Sequence, residues 1–401
     1  MVFTPNARTA PTIVSGTRDP QGGVPSQRIV PDVRDEIVLW EPNVASVTVL
    51  TKKLKNKLVA TQREFQWIEE EPYPRTLTVS GAQTSGDTSI EVVTGEGSRV
   101  TTGCLLRNTR TGEVLRVSSV STDTLTVVRG IGLSGGAAMN DGDRLLYFAT
   151  AHADGSLSQT AKTVKGAREY NYTQFFRTPF ELTDRQANTQ MYGGRDIKTT
   201  GRQAAIEHRK DMEYALFFGR RYNDAASGGE TSTTGGLDQF IASNIWDLNG
   251  VAPSENAFVD FLEAPMRWGM GGSERGNGSK ILVGSPRWMS QIDRWYRDRI
   301  RVVDAPEIKR LGLAMTELVT PHGNIMLLKQ PLFTGDDSGL AYLVDLNHIF
   351  YRYHDGLDTA LHMDIQENDR AGVKHEWRTD MGWEIQVEAA HAKIQGLPPA
   401  A

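Results

Sequence analysis

A single cysteine, Cys104, in 401 residues leaves no intramolecular disulfide framework and no cysteine-cluster zinc site. No apolar run approaches the roughly 20 residues of a bilayer-spanning helix, and the first residues carry no signal-peptide core. An excess of positive charge is also missing. Lys and Arg total 44 against 49 Asp and Glu, a formal net charge of −5, which excludes a protein that coats nucleic acid by charge alone. Aromatic residues make up only 8% while glycines number 39, so many turns and loops surround a modest core. What is present is length: at roughly 100–200 residues per domain the chain has room for two or three.

Residues 1–45 read as an extended N-terminal arm. Pro5, Pro11, Pro20, Pro25, Pro31 and Pro42 break helices and remove ladder donors, and the apolar content is too thin for a core. Two readings stand side by side, a disordered terminus and an arm that orders on a partner. In residues 46–75, Lys52, Lys53, Lys55 and Lys57 precede Phe65 and Trp67, which alternate as on a strand with one covered face. Glu69, Glu70 and Glu71 follow. A basic and an acidic block in one segment form a solvated face, or a head-to-tail contact in which one copy's lysines meet another's glutamates.

Residues 76–149 form a distinct module. Short β-type runs such as Ile90–Val93, Val114–Val117 and Leu125–Val128 are separated by Gly and Asp turns without a helical pattern between them, which predicts a small all-β barrel or sandwich. It looks inserted, with the flanking segments pairing as strands. From Ile197 to Gly219 the period changes to three and four, along a stripe of Gly201, Ala204, Ala205, His208, Met212, Ala215 and Leu216. So many small residues imply close packing. The opposite face is read as a solvated set of Arg202, Glu207, Arg209, Lys210 and Glu213, and His208 as a packed, hydrogen-bonded histidine. Beyond the loop 227–236 the pattern is mixed α/β. Ser254 caps a helix that ends or kinks at Pro265, Lys280–Val283 is a buried strand, and Ser285-Pro286 opens a further helix.

No catalytic set emerges. Gly130–Gly135 matches the dinucleotide-binding G-x-G-x-x-G, and Gly132–Gly136 the G-x-S-x-G elbow, but each needs a helix immediately after it and here another strand follows. His354, Asp355, Asp358, His362 and Asp364 cluster without the spacing of a helix-borne zinc pair or a calcium loop. Cys104 has no neighbouring His or basic cluster and reads as buried rather than nucleophilic. Arg294, Arg297, Arg299 and Arg301 with Trp295 and Tyr296 form one basic-aromatic stretch, but interleaved Asp293, Asp298 and Asp304 make it a salt-bridged helix and exit loop.

A family resemblance is carried by Thr111–Val117 with Leu125–Gly130, by Asn171–Phe176, by Met191–Gly194 and the helix to Arg221, and by Ile365–Asp369 with Glu376-Trp377. In that order the chain resembles the major capsid proteins of tailed bacteriophages with the Hong Kong 97-like fold, closest to the subfamily with a β insertion in its extended loop. The resemblance implies an α+β fold and a non-enzymatic shell subunit without a cofactor. It implies an arm over 1–45, an extended loop over 46–75 and 150–182, and an inserted β domain over 76–149. A peripheral domain with a spine helix would span 183–235 and 340–401, and an axial domain 236–339. Such subunits self-assemble in the host cytoplasm into hexamers and pentamers, forming an icosahedral or prolate head around double-stranded DNA. Separate scaffolding, decoration and portal proteins are the implied partners, with little sequence-specific DNA contact and no membrane. The candidate subunit-interface residues are Lys52, Lys53, Lys55, Trp67, Glu69, Glu70, Glu71, Lys162 and Arg168. No motif selects an acceptor for a cross-link from Lys162 or Lys165, so none is expected. The alternative is an encapsulin-like nanocompartment shell around protein cargo; a third reading is an α/β enzyme with its site at Gly130–Gly136.

Overall fold

The computed structural model describes residues 46–53, 56–132, 135–156, 162–189, 196–224, 230–268, 280–296, 300–302 and 315–398. The proposed arm, 1–45, and the motif Met191–Gly194 lie outside them. The chain opens with α1 (Ser46–Lys53), β1 (Lys57–Ala60) and β2 (Glu64–Glu69). Next come β3 (Thr76–Thr78), β4 (Ser89–Glu91), β5 (Cys104–Asn108), β6 (Val114–Ser121), β7 (Thr124–Val128) and β8 (Arg144–Thr150). β9 (Ala167–Tyr172) and β10 (Gln174–Thr183) lead to α2 (Asp184–Ala187) and the 23-residue α3 (Asp196–Phe218). After β11 (Tyr222–Asp224), β12 (Thr231–Thr233), α4 (Leu237–Phe240) and β13 (Ile245–Asp247) come α5 (Glu255–Arg267), β14 (Lys280–Gly284) and α6 (Pro286–Tyr296). The remainder is strand-rich: β15 (Ile300–Val302), β16 (Met315–Thr320), β17 (Gly323–Lys329), β18 (Ala341–Val344), β19 (Ile349–His354), β20 (Ala360–His362), β21 (Gly372–Ile385) and β22 (Ala392–Gln395). Residues 66–169 form one compact unit and the rest of the chain another.

Within the smaller unit, antiparallel strands run in the order β3-β8-β5-β6-β7-β4. A bridge between Val79 and Val92, flanked by Val93 N–H to Thr78 O and Ser80 N–H to Glu91 O at 2.9 Å each, joins the first strand to the last. The sheet therefore closes into a barrel, which removes its open edges. Alternate residues fill it: Cys104 and Leu106, Leu115 and Val117, Leu125 and Val127 are all buried. Thr and Ser occupy many of the outward positions, so a short sequence makes both a dry lumen and a wet exterior.

A buried ion pair ties the barrel's loops. Arg129 meets the Glu113 carboxylate at 2.6 Å, with side chains 8% and 0% exposed, and donates to Thr84 O and Asp87 O. Glu113 also accepts from Ala137 N–H. The two arms of the glycine-rich loop are thereby stapled to one carboxylate. The loop returns to Met139, which pairs with Gln83, rather than entering a helix. Neither phosphate nor a strained serine has the helix it requires here; Ser134 itself lies outside the described residues. Burial pushes the Glu113 carboxyl up, but the Arg129 guanidinium and the loop amides outweigh it and hold it below the usual range.

In the larger unit, a seven-stranded sheet runs β13-β22-β18-β14-β17-β16-β15. All five residues of β14 are buried because both faces are covered. Leu282 faces Phe258, Leu262, Trp288 and Ile292 of α5 and α6, while Ile281 and Val283 join a cluster with Leu216, Phe217 and Tyr342. Ser254 Oγ caps α5 by accepting from Ala257 N–H, and Ser285 Oγ caps α6 by accepting from Trp288 N–H. Pro265 does not stop α5, which continues to Arg267. A second sheet, β1-β19-β21-β10 with β20 also on β21, lies against α3. The small residues of α3 have their reason in that contact: a Cβ on Gly201 would sit 3.1 Å from the Phe180 ring.

Replacing Arg129 with alanine is expected to strand the buried Glu113 charge and destabilise the barrel by about 3–5 kcal/mol. Hydrogen exchange of the amides in 76–150 should accelerate while those of β14 and β18 stay unchanged. Equal protection in variant and parent would show that the pair does not hold the barrel.

Candidate inter-subunit surface

The root of the N-terminal segment is fixed by one carboxylate. Glu213 of α3, wholly buried, accepts from Val47 N–H and Thr48 N–H at 3.0 Å each, from the Thr48 hydroxyl, and from Gln330 Nε2 at 2.8 Å. It thus supplies acceptors to the first turn of α1, where helix amides have no partners of their own and the dipole favours negative charge. Burial pushes its carboxyl up; the hydrogen bonds oppose that without reversing it. This corrects the reading of Glu213 as part of a solvated face. Helical periodicity marks the side on which a residue lies, not whether another segment of chain will cover it.

The predicted interface residues separate into inward and outward sets. Lys52 turns inward, its ammonium 4.3 Å from the Tyr351 ring centroid and 3.4 Å from Thr359 Oγ1, and burial lowers its pKa to about 8. It has its partners within the subunit. The side chains of Lys53 and Lys55 lie outside the described residues. Residues 46–60, grouped with the extended loop by the sequence reading, form α1, packed on α3 and β19, and β1, parallel to β19. Only beyond them does the chain leave as a ribbon, in which β2 pairs with β9.

On that ribbon Phe65 and Trp67 are buried, and Trp67 Nε1 donates to Glu69 Oε1 at 2.7 Å. Glu70, Glu71 and Arg168 are exposed, and Glu69 is half-buried. Lys162 is half-buried, with its ammonium 5.7 Å from the Tyr73 ring centroid. The outward charged set is therefore Glu70, Glu71 and Arg168, while Trp67 belongs to the interior. Ile68, 69% exposed among these charges, was not among the predicted interface residues. Its signal was the apolar residue at an outward position of the alternation Glu64–Glu69.

Behind the surface a polar chain crosses the core. His208 Nδ1 is 2.9 Å from Thr178 Oγ1 and Nε2 is 2.7 Å from Thr379 Oγ1, whose own proton goes to Thr359 Oγ1 at 3.0 Å. Thr379 therefore accepts from Nε2–H, while Nδ1 faces the Thr178 hydroxyl, which can donate to the neutral ring. Burial and the charge of Lys52 lower its pKa to about 4. In the stretch from His354 to Asp364, Asp358 accepts from Lys57 and from the Tyr351 hydroxyl.

The family model described as SU10 major capsid protein matches residues 12–398, nearly the whole chain. The chain belongs to that family. A major capsid protein of Pseudomonas phage PaMx41 is 26% identical over 299 residues, covering 71% of this chain and 70% of that protein. Among solved structures, a chain of Gordonia phage Cozz is similar at 11% identity and a TM-score of 0.47, covering 98% of both chains. A chain from the capsid of a native GTA particle is similar at 10% identity and a TM-score of 0.47, covering 92% of this chain and 96% of that one. The family assignment rests on the sequence match. This capsid subunit is thus a phage virion component of a structural, shell-forming class. Its long helix, ribbon and two large sheets make the mixed α+β fold implied by the sequence.

The neutral His208 gives the subunit an acid-sensitive stability. Between pH about 6.5 and about 4 the unfolded chain binds a proton that the folded one refuses, so the contribution is complete above that window and is lost as pH falls through it. His391, lowered to about 3 by burial and by Lys280, acts in the same direction. Denaturant titrations at pH 7 and pH 4.5 should differ by about 2–3 kcal/mol more in the parent than in His208→Gln. An identical pH dependence in the two would refute a neutral, desolvated His208.

Proposed function

We propose that the chain assembles into hexameric and pentameric capsomers that close an icosahedral or prolate head around double-stranded DNA. The observation that carries this reading is the two-stranded ribbon of β2 and β9, which presents Ile68, Glu70, Glu71 and Arg168 outward on an element with little core of its own. Elements of that kind gain their stability from neighbouring copies. On this reading the ribbon is the extended loop and the barrel its inserted domain. α3 is the spine of the peripheral domain, and the seven-stranded sheet with α5 and α6 is the axial domain. Glu70 and Glu71 meet basic residues of the next subunit head to tail, with Glu69 behind them on Trp67, and residues 1–45 reach other copies as an arm. The net charge of −5 suits a wall that must not adhere to packaged DNA. Separate scaffolding, portal and decoration proteins would then direct assembly.

Purified particles examined by electron microscopy, with and without nuclease treatment, test the reading. Closed shells holding nuclease-protected DNA are expected; shells holding only protein cargo would favour the nanocompartment. Replacing Glu69, Glu70 and Glu71 with lysine should place like charges across the contact and leave folded but unassembled subunits. Wild-type sedimentation of that variant's particles would rule out the head-to-tail contact. Deleting residues 1–30 is expected to leave circular dichroism unchanged and cut the yield of closed particles severalfold. An undiminished yield would show that the arm is dispensable.

A further inference from the structure

Between the start of β10 and the C-terminal half of α3 runs an open groove of about 580 Å3. Its lining includes Phe175, 47% exposed, and Tyr214, 40% exposed, with Phe218 stacked on Tyr214 at 6.2 Å between centroids. Large aromatic rings left in water at the same site mark a surface that something else covers. Arg177 and Arg220 also line it. Each is held by a carboxylate, Glu376 and Asp238, yet their side chains remain 54% and 66% exposed. Among the described lining residues the carboxylate is Asp211, whose pKa is raised by burial and by the neighbouring Glu207. The groove is therefore aromatic at its floor and cationic at its rim.

We propose that residues Asp35–Glu41 of the same chain occupy this groove in the unassembled subunit. That segment reads Asp-Glu-Ile-Val-Leu-Trp-Glu, four consecutive apolar residues flanked by three acids. It is the apolar concentration within a stretch otherwise rich in proline and polar residues, and its charges are the complement of Arg177 and Arg220. It also lies within the part of the chain matched by the family model.

The tether decides which copy supplies it. Four residues, Pro42 to Ala45, separate Glu41 from α1, and they span up to about 13–14 Å when extended. A helix with its side chains is roughly 10–12 Å across. The start of α1 is fixed on Glu213, whose next neighbour in α3 is Tyr214 of the groove. The tether is therefore anchored about one helix width from the groove and is long enough to cross that distance. That gives the segment an effective concentration of order millimolar, which a second copy in dilute solution does not match. Residues nearer the N-terminus stay available to reach other subunits, so this docking is independent of the shell reading.

The test is a cross-link in the full-length, unassembled chain. Cysteines are placed singly at Ile37, Val38, Leu39 and Trp40, each together with Tyr214→Cys, on a Cys104→Ser background, and treated in dilute solution with a short bismaleimide. At least one pairing is expected to give a product that migrates as a monomer, with a peptide linking the arm to α3 by mass spectrometry. Charge reversal at Glu36 and Glu41 should slow that reaction severalfold. Phe175→Cys replaces Tyr214→Cys if the latter fails to fold, as judged by circular dichroism. Cross-linked dimers would show that a second copy fills the groove, and no product from any pairing would show that the arm does not lie there; either overturns the proposal. Because particle formation is not the readout, its failure would leave the proposed capsid function standing, and failure to assemble would leave this result unaffected.

Discussion

The buried carboxylate of Glu213 is the interaction on which the geometry of the chain's beginning depends. A carboxylate in an apolar core is costly unless its oxygens are satisfied. Here the donors are the first amides of α1, the Thr48 hydroxyl and the Gln330 amide, contributed by two distant stretches of chain. The benefit is mutual, since α1 has eight residues and on its own would be too short to persist in water. Fixing α1 fixes β1, which pairs residue for residue from Lys57↔Tyr351 to Ala60↔His354. The position from which the ribbon departs is thereby determined by one side chain of α3.

The same use of polar groups recurs where the two large sheets are joined. The connections from β18 to β19 and from β21 to β22 run side by side, with Gln386 N–H donating to His348 O at 2.9 Å and Asp345 N–H to His391 Nδ1 at 3.3 Å. Lys280, buried, donates to Ala390 O and Pro265 O, and Glu388 receives Ala242 N–H and Ser243 N–H. Val387 sits there at φ +52°, a left-handed conformation that a β-branched residue adopts only when its surroundings impose it. These bonds over-determine the turn and hold the strain. The joint between the sheets is consequently specified by hydrogen bonds, whereas the faces of each sheet are specified by apolar packing.

How far the sequence revealed this follows from the physics of each element. Alternation exposed the barrel strands, because Leu115-Val117 and Leu125-Val127 keep a period of two with polar residues between them. The stripe of Gly201, Ala204 and His208 exposed α3, and capping serines marked α5 and α6. In α6 Trp288 is wholly buried while Met289 and Trp295 are only partly covered, and a single amphipathic stripe does not say how wide the contact is. Glu213 and Lys52 were misplaced for a related reason. Charged residues are assigned to water unless a partner is visible, and their partners lie 117 to 307 positions away in the chain. The ribbon's acids could be found as a cluster, but not which of them face outward.

Edges explain why the ribbon rather than the barrel suits contact between copies. Every barrel strand has both neighbours, through the Val79–Val92 bridge at the seam, so its backbone offers nothing to another chain. The two-stranded sheet of β2 and β9 is not closed in this way: each strand has a single strand partner among the described strands. An isolated pair of strands is marginal in water. Long unpaired edges are ordinarily a hazard, and charge is the usual protection against indiscriminate pairing. Glu70, Glu71 and Arg168 place such charge beside the exposed Ile68, and on the proposed shell reading that pattern would favour a neighbour of matching charge over one of like charge. On that same reading the marginal stability of two strands alone would be the driving force for finding the neighbour.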